Sequence, residues 1–272
     1  MMDNGIVAVI RADSGELLAD VAEALLAGGV DVMEVTFTVP NAIEVIKEVK
    51  RRIGAKVLLG AGTVLDTETA RAAILAGAEF IVSPSTDVEV IKLCRRYDTV
   101  ITPGIFTPTE AVTAWEAGAD ILKVFPADIG GPAHLKALRG PLPQCRFMPT
   151  GGVDLNTAAD FLRAGAVALG VGGALVSQAA VDERDFASIE ALARQYVQIV
   201  KDTRAQLSAF ALTGRDKGTG ARGLRSITEE VMLDIMYELP DRKGSGAYTI
   251  DQEVVSGEKP IFDTNKPVKK SA

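Results

Sequence analysis

The sequence predicts an α/β fold, a closed (β/α)8 TIM barrel with a short C-terminal appended segment. Three observations point there. Runs rich in Val, Ile and Leu alternate strictly with stretches of helical periodicity, and the runs number eight. Three of the intervening helices close with the same signature, AGGVDV, AGAEF and AGADI, in which a Gly able to take a left-handed cap is followed within two or three residues by a strand. Strict alternation implies right-handed crossovers and a parallel sheet. Eight units favour closure over an open doubly wound sheet, and the first strand lacks the dinucleotide-binding fingerprint, since IVAVIRADSGE holds a single Gly.

In chain order the strands are expected at Ile6–Ile10, Val32–Thr36, Val57–Ala61, Phe80–Ser83, Thr99–Thr102, Ile121–Phe125, Arg146–Thr150 and Val167–Val171. Segments such as GELLADVAEALLAGG and DTETARAAILAGA, with apolar residues at helical spacing, supply the helices between them. After about Arg204 the character changes. The stretch Ser208 to Gly220 is polar and contains Gly, a short helix is expected from Leu224 to Leu239, and the final DTNKPVKKSA reads as disordered. The division that follows is a barrel over residues 1–206 and an appended segment over residues 207–272.

Composition narrows the function. At 272 residues the chain suits one small barrel plus an appendage, or two modest domains, and 47% apolar residues allow a sizeable core. A formal charge of -7 argues against a nucleic-acid partner. Cys94 and Cys145, the only cysteines, lie in unrelated segments and read as reduced thiols. No run approaches a membrane span, and the start MMDNG lacks the regions of a signal peptide, so a cytoplasmic protein without membrane partners is expected.

In such barrels chemistry sits at the C-terminal ends of the strands. Alternation along DILKVFP turns Ile121, Lys123 and Phe125 inward and Leu122 and Val124 toward the helices. A lysine among Ile, Leu, Val and Phe is desolvated, which favours the neutral amine that condenses with a ketone. A lysine snorkelling from an edge strand is the alternative, and a closed barrel has no edge. The same alternation places Val32, Glu34 and Thr36 inside. An inward carboxylate is costly unless paired or working, so Glu34 is either an acid/base partner of Lys123 or half of a structural ion pair. Gly-rich strand ends, LLGAGT, PTGG and GVGGA, could let backbone N–H groups approach a phosphate, the last two after the seventh and eighth strands. His134 is the sole histidine, in a helix, and reads as a surface residue; no histidine-based triad or multi-histidine metal site can be built. Asp13, Asp31 and Asp66 read as helix caps.

The ordered set EVTFTVP, GAGTV, SPSTD, PGIFTPTE, LKVFPAD and PTGGV resembles the 2-dehydro-3-deoxy-6-phosphogluconate aldolases and the related 4-hydroxy-2-oxoglutarate aldolases, over nearly all of residues 6–204. The resemblance implies a metal-free, cofactor-free homotrimeric lyase acting on a 2-keto-3-deoxy sugar acid or its phosphate. It implies Lys123 as the Schiff-base lysine and Glu34 as general acid/base. By the same likeness Thr63 and Thr150 contact the pyruvyl part, and Pro84 and Phe125 wall the pocket. Arg11 helps hold an anionic group, and Gly151, Gly152, Gly172 and Gly173 cradle a phosphate. The chain departs from the commoner pattern in Thr38, where many members carry arginine, in Ala174, where many carry serine, and in the near absence of a helix before the first strand. Residues 219–240, TGARGLRSITEEVMLDIMYELP, resemble instead the end of the small domain of the unfoldase ClpX, with Arg222 at its ATP-sensing arginine. No Gly-Lys dipeptide occurs in the chain, so a Walker A loop is excluded and a fusion remnant is expected.

The expected activity is therefore cleavage of 2-dehydro-3-deoxy-6-phosphogluconate to pyruvate and glyceraldehyde 3-phosphate. The galactonate epimer and 4-hydroxy-2-oxoglutarate are alternative substrates. From other classes come a non-catalytic oligomeric scaffold, which leaves Lys123 and Glu34 unexplained, and a ClpX-related interaction protein, which the missing phosphate loop opposes.

Overall fold

The structure, a computed structural model, describes residues 1–11 and 15–216. The expected cap at Asp13, the helix over 224–239, Arg222 and the terminal residues lie outside them. Two compact units divide the chain, Met1–Lys201 and Asp202–Ala272, and the helix α9 introduced below runs from one into the other.

The first unit alternates strands and helices in the expected order. It begins β1 (Ile6–Ile10), α1 (Gly15–Ala27), β2 (Val32–Thr36), α2 (Ala42–Ile53), β3 (Leu58–Gly62), α3 (Thr67–Ala76), β4 (Phe80–Val82), α4 (Val88–Arg96) and β5 (Val100–Thr102). It continues β6 (Gly104–Ile105), α5 (Pro108–Glu116), β7 (Leu122–Val124), α6 (Gly131–Arg139), β8 (Phe147–Pro149), α7 (Ala158–Arg163), β9 (Leu169–Val171), α8 (Gln178–Asp182) and α9 (Phe186–Asp216). Where one strand was expected at 99–102 there are two short ones, because Pro103 has no N–H to give a ladder and interrupts the run. All pairings are parallel. One sheet has six strands in the order β5-β4-β3-β2-β1-β9, the other three in the order β6-β7-β8. Isolated bridges, Phe147↔Ala166 and Thr150↔Gly170, link the second sheet to the region of β9.

Helix starts follow the chemistry of their first residues. Asp66 accepts from Thr69 N, Asp87 from Glu89 N and Val90 N, and Thr107 with Glu110 forms a capping box ahead of Pro108. Asp31 precedes β2 and caps no helix; instead its carbonyl accepts from Leu58 N. Gly77 takes φ 108 and closes α3 as the AGA signature anticipates.

Strand alternation divides the buried residues into two sets. Val7, Val32, Phe80, Val82, Ile121, Met148 and Ala168 form one cluster on the inner face of the sheets. Met33, Val35, Leu122 and Val124, their immediate neighbours in sequence, belong to the larger core beneath the helices. Phe80 fills the inner face where Gly60 lacks a side chain; a Cβ there would strike its ring. The described part of α9 within the first unit buries Ile189, Ala193, Tyr196 and Val200, one stripe at helical spacing. The polar stretch from Ser208, left unassigned by the sequence, carries α9 on to Asp216. Among the described residues no helix is long and apolar enough to cross a membrane.

Candidate active site

Lys123 stands in the middle of β7, in register with Gly104 on β6 and Met148 on β8. It is only 6% exposed, and its Nζ lies 5.0 Å from the centroid of the Phe125 ring. Burial holds its pKa below the usual lysine value; Glu34 opposes that shift and Arg11 adds to it. Glu34 stands in β2, in register with Val9 and Gly60, and is 1% exposed. Burial pushes its pKa up, against the pull of Lys123 and Arg11. Its Oε2 is buried without a hydrogen-bond partner. Gly62 makes the room: a Cβ there would sit 2.5 Å from Glu34 Oε1. Both shifts move the pair toward a neutral amine beside a neutral acid, the first able to add to a ketone and the second able to give and take a proton.

The other expected residues gather at the same, C-terminal, ends of the strands. Arg11 follows β1 and is exposed; Thr63 follows β3, half-buried with φ 58. Pro84 lies two residues past β4, its carbonyl packed on Gly104, where a Cβ would collide with it. Phe125 follows β7 and is half-buried. Thr150 follows β8; it is 8% exposed, with a buried hydroxyl that has no partner, against Gly170, where any Cβ would strike that hydroxyl. Gly151 and Gly152 take φ 90 and 68, and Gly172 follows β9 beside Val9. Among the described residues, the N–H groups of Gly152, Val153, Gly172 and Gly173 donate to no protein acceptor. Such a set of free backbone donors on two neighbouring turns is suited to an anion. Thr38, at the position of the commoner arginine, shares a 2.7 Å hydroxyl–hydroxyl hydrogen bond with Thr36.

Three features went unread in the sequence. Thr102 is fully buried on β5 with an unpartnered hydroxyl, in register with the inward Val82, and alternation along VIT could have marked it. Gly62 makes way for the carboxylate through a contact that no local pattern announces. His134 is not a simple surface residue: it is half-buried, its ring stacks on Phe106 at 4.7 Å, and its Nε2 donates to the Phe106 carbonyl at 2.8 Å. Among the described residues no cluster of His, Cys, Asp or Glu is placed to hold a metal ion.

Comparison with known proteins follows the same residues. The model of the family described as KDPG and KHG aldolase matches residues 1–192. A 2-dehydro-3-deoxy-phosphogluconate aldolase of Treponema pallidum is 39% identical over 196 residues, 72% of this chain and 93% of that protein. A protein of the same name from Pseudomonas aeruginosa is 37% identical over 71% of this chain and 88% of its own length. The solved KDPG aldolase of Legionella pneumophila, with pyruvate captured as a covalent carbinolamine intermediate, superposes with a TM-score of 0.67 at 30% identity, covering 70% of this chain and 92% of that one. The resemblance to ClpX finds no counterpart in these matches. With its family model spanning most of the chain and these relatives covered almost end to end, the protein belongs to the KDPG and KHG aldolase family.

Proposed function

We propose that the protein is a Schiff-base aldolase that cleaves 2-dehydro-3-deoxy-6-phosphogluconate to pyruvate and glyceraldehyde 3-phosphate. The observation that carries this reading is the buried pair Lys123 and Glu34, whose protonation equilibria are displaced in opposite directions by burial. The neutral amine of Lys123 adds to the C2 ketone; the carbinolamine then loses its hydroxyl as water, taking the proton of Glu34, which leaves an iminium beside the Glu34 carboxylate. Glu34 takes the C4 hydroxyl proton as the C3–C4 bond breaks, releasing the aldehyde and leaving its electron pair in the enamine. Glu34 then returns a proton to C3, and water hydrolyses the iminium to free pyruvate and Lys123.

Around that pair Thr63 and Thr150 contact the pyruvyl part, Pro84 and Phe125 form the walls, and Arg11 attracts the anionic substrate. The turns at Gly151, Gly152, Gly172 and Gly173 receive the phosphate through their backbone N–H groups. The two sheets make one closed barrel of eight staves. Supporting this, only Pro103 separates β5 from β6 on one side, and the bridges Phe147↔Ala166 and Thr150↔Gly170 span the other. The working protein is a cytoplasmic homotrimer, and residues 1–206 suffice for catalysis, with residues 207–272 an appendage. The family's second name keeps 4-hydroxy-2-oxoglutarate as a competing substrate, and the galactonate epimer runs through the same steps. Borohydride reduction in the presence of pyruvate tests the chemistry: a three-carbon adduct on the Lys123 peptide is expected, and labelling of another lysine refutes the assignment.

A further inference from the structure

The turn that follows β8 is conformationally weak by composition. Gly151 and Gly152 both have positive φ, where glycine loses the most freedom on ordering, and the turn must be held from outside if its N–H groups are to be fixed in direction. Two neighbours hold it. On one side Asp128, from the loop after β7, packs so closely that a Cβ on Gly152 would lie 2.5 Å from the Asp128 Cβ and 3.0 Å from its Cα. On the other side stands Thr157. Its hydroxyl donates to the Gly152 carbonyl at 2.9 Å and accepts from Asp154 N at 2.9 Å, so both of its roles are engaged. Thr157 is held in turn by Asp154, whose Oδ1 accepts from Asn156 N at 2.8 Å and Thr157 N at 2.9 Å. In a trans peptide the carbonyl and the following N–H point in opposite directions. Fixing the Gly152 oxygen toward Thr157 therefore fixes the Val153 N–H on the other side of the turn, away from Thr157 and without a protein acceptor.

We propose that Thr157 is a positioning residue for the phosphate end of the substrate. It does not touch the anion. Its hydroxyl anchors the Gly152 carbonyl, and that anchor aims the free N–H groups of the glycine turn before substrate arrives. Preorganised donors of this kind cost no reorientation on binding. The inference rests on the aldolase reading and its phosphate site.

The test compares 2-dehydro-3-deoxy-6-phosphogluconate with its unphosphorylated analogue on the full chain. Thr157→Val keeps the shape and removes both hydrogen bonds. It is expected to lower kcat/KM for the phosphorylated substrate by about fivefold, the worth of one net hydrogen bond, through KM and with kcat nearly unchanged. Turnover of the unphosphorylated analogue and borohydride trapping with pyruvate should not change, and Thr157→Ser should restore the phosphorylated substrate to within about twofold. Asp154→Ala releases Thr157 from its anchor and is expected to show the same selective loss, which keeps the test open if the valine variant does not fold. Equal losses on both substrates mean a merely structural role and overturn the proposal, as does an undiminished phosphate preference in the variants. A wild-type enzyme indifferent to the phosphate while still trapped by pyruvate overturns the phosphate site itself, and the proposal with it, leaving the Schiff-base reading intact.

Discussion

Adding one methyl group at Gly62 is expected to disable proton transfer while leaving the lysine chemistry in place. A Cβ at this position would lie 2.5 Å from Glu34 Oε1, 2.8 Å from its Cδ and 3.3 Å from its Cγ. Ordinary contacts need roughly 3.5 Å, so in Gly62→Ala the carboxylate must retreat by about 1 Å. It has little space for this, being 1% exposed, and its unpartnered Oε2 offers no hydrogen bond to steer the new position. A misplacement of about 1 Å at a reacting group costs on the order of 10²-fold in rate. Glu34→Gln, which removes the proton-transfer group outright, should cost about 10²–10⁴-fold in kcat with little change in KM. Gly62→Ala should therefore approach the lower end of that range. Lys123 lies on a different strand, so borohydride trapping with pyruvate should proceed in the Gly62 variant as in the wild type. The assay is steady-state pyruvate release alongside trapping yield. A kcat within about twofold of wild type would show that the carboxylate's placement does not govern turnover, and the role given to Glu34 fails with it.

Three further outcomes follow from the same site and core. Glu34 is the group that raises the pKa of Lys123 against burial and Arg11, so Glu34→Gln should move the pH midpoint of pyruvate trapping to lower pH; a shift to higher pH contradicts the placement of the charges. Tyr196 is fully buried with an unpartnered hydroxyl, its pKa pushed up to about 12 by burial and by Asp154, so Tyr196→Phe should be neutral or stabilising by up to about 1 kcal/mol in urea unfolding, and a loss of that size would reveal an unseen partner. The buried stripe of α9 in the first unit ends at Val200, so a chain ending at Gln206 should keep kcat and KM within about twofold; loss of aldol cleavage on truncation would show that the downstream residues belong to the enzyme.

Most of the architecture was legible because a parallel strand buried on both faces announces itself as a short apolar run. The run predicted at 57–61 sits at Leu58–Gly62, a shift of one residue at its ends. Orientation was read from alternation within each run, so Glu34 and Lys123 were placed inward even where strand ends were uncertain. What alternation cannot supply is contact between distant segments. The close approach of Gly62 to Glu34, of Gly104 to Pro84 and of Gly152 to Asp128 each depends on two segments distant in sequence meeting, and in the sequence each glycine reads only as a turn residue. The break at Pro103 was visible in principle, since proline has no N–H to give. The roles of Thr63, Arg11 and the paired glycines came from family resemblance; composition alone would have left them as ordinary loop residues.

The inner face of the sheets also shows why a buried ionisable pair is tolerable here. Along four of the strands the first inward position is apolar and the next is polar or small: Val32 then Glu34, Ile121 then Lys123, Met148 then Thr150, Ala168 then Gly170. The apolar positions join with Val7, Phe80 and Val82 into one cluster, so the floor beneath the lysine is dry and close-packed. Two charges above such a floor are costly, because burial disfavours each and attraction repays only part of the loss. The protein meets that cost by displacing both equilibria toward the neutral forms, and neutral forms are what the first step of the chemistry uses. Stability and reactivity are thus separated by two residues along these four strands. Shortening Ile121 would open a cavity in the floor and act mainly on stability, whereas changing Lys123, one inward step further along the same strand, would act on the reaction.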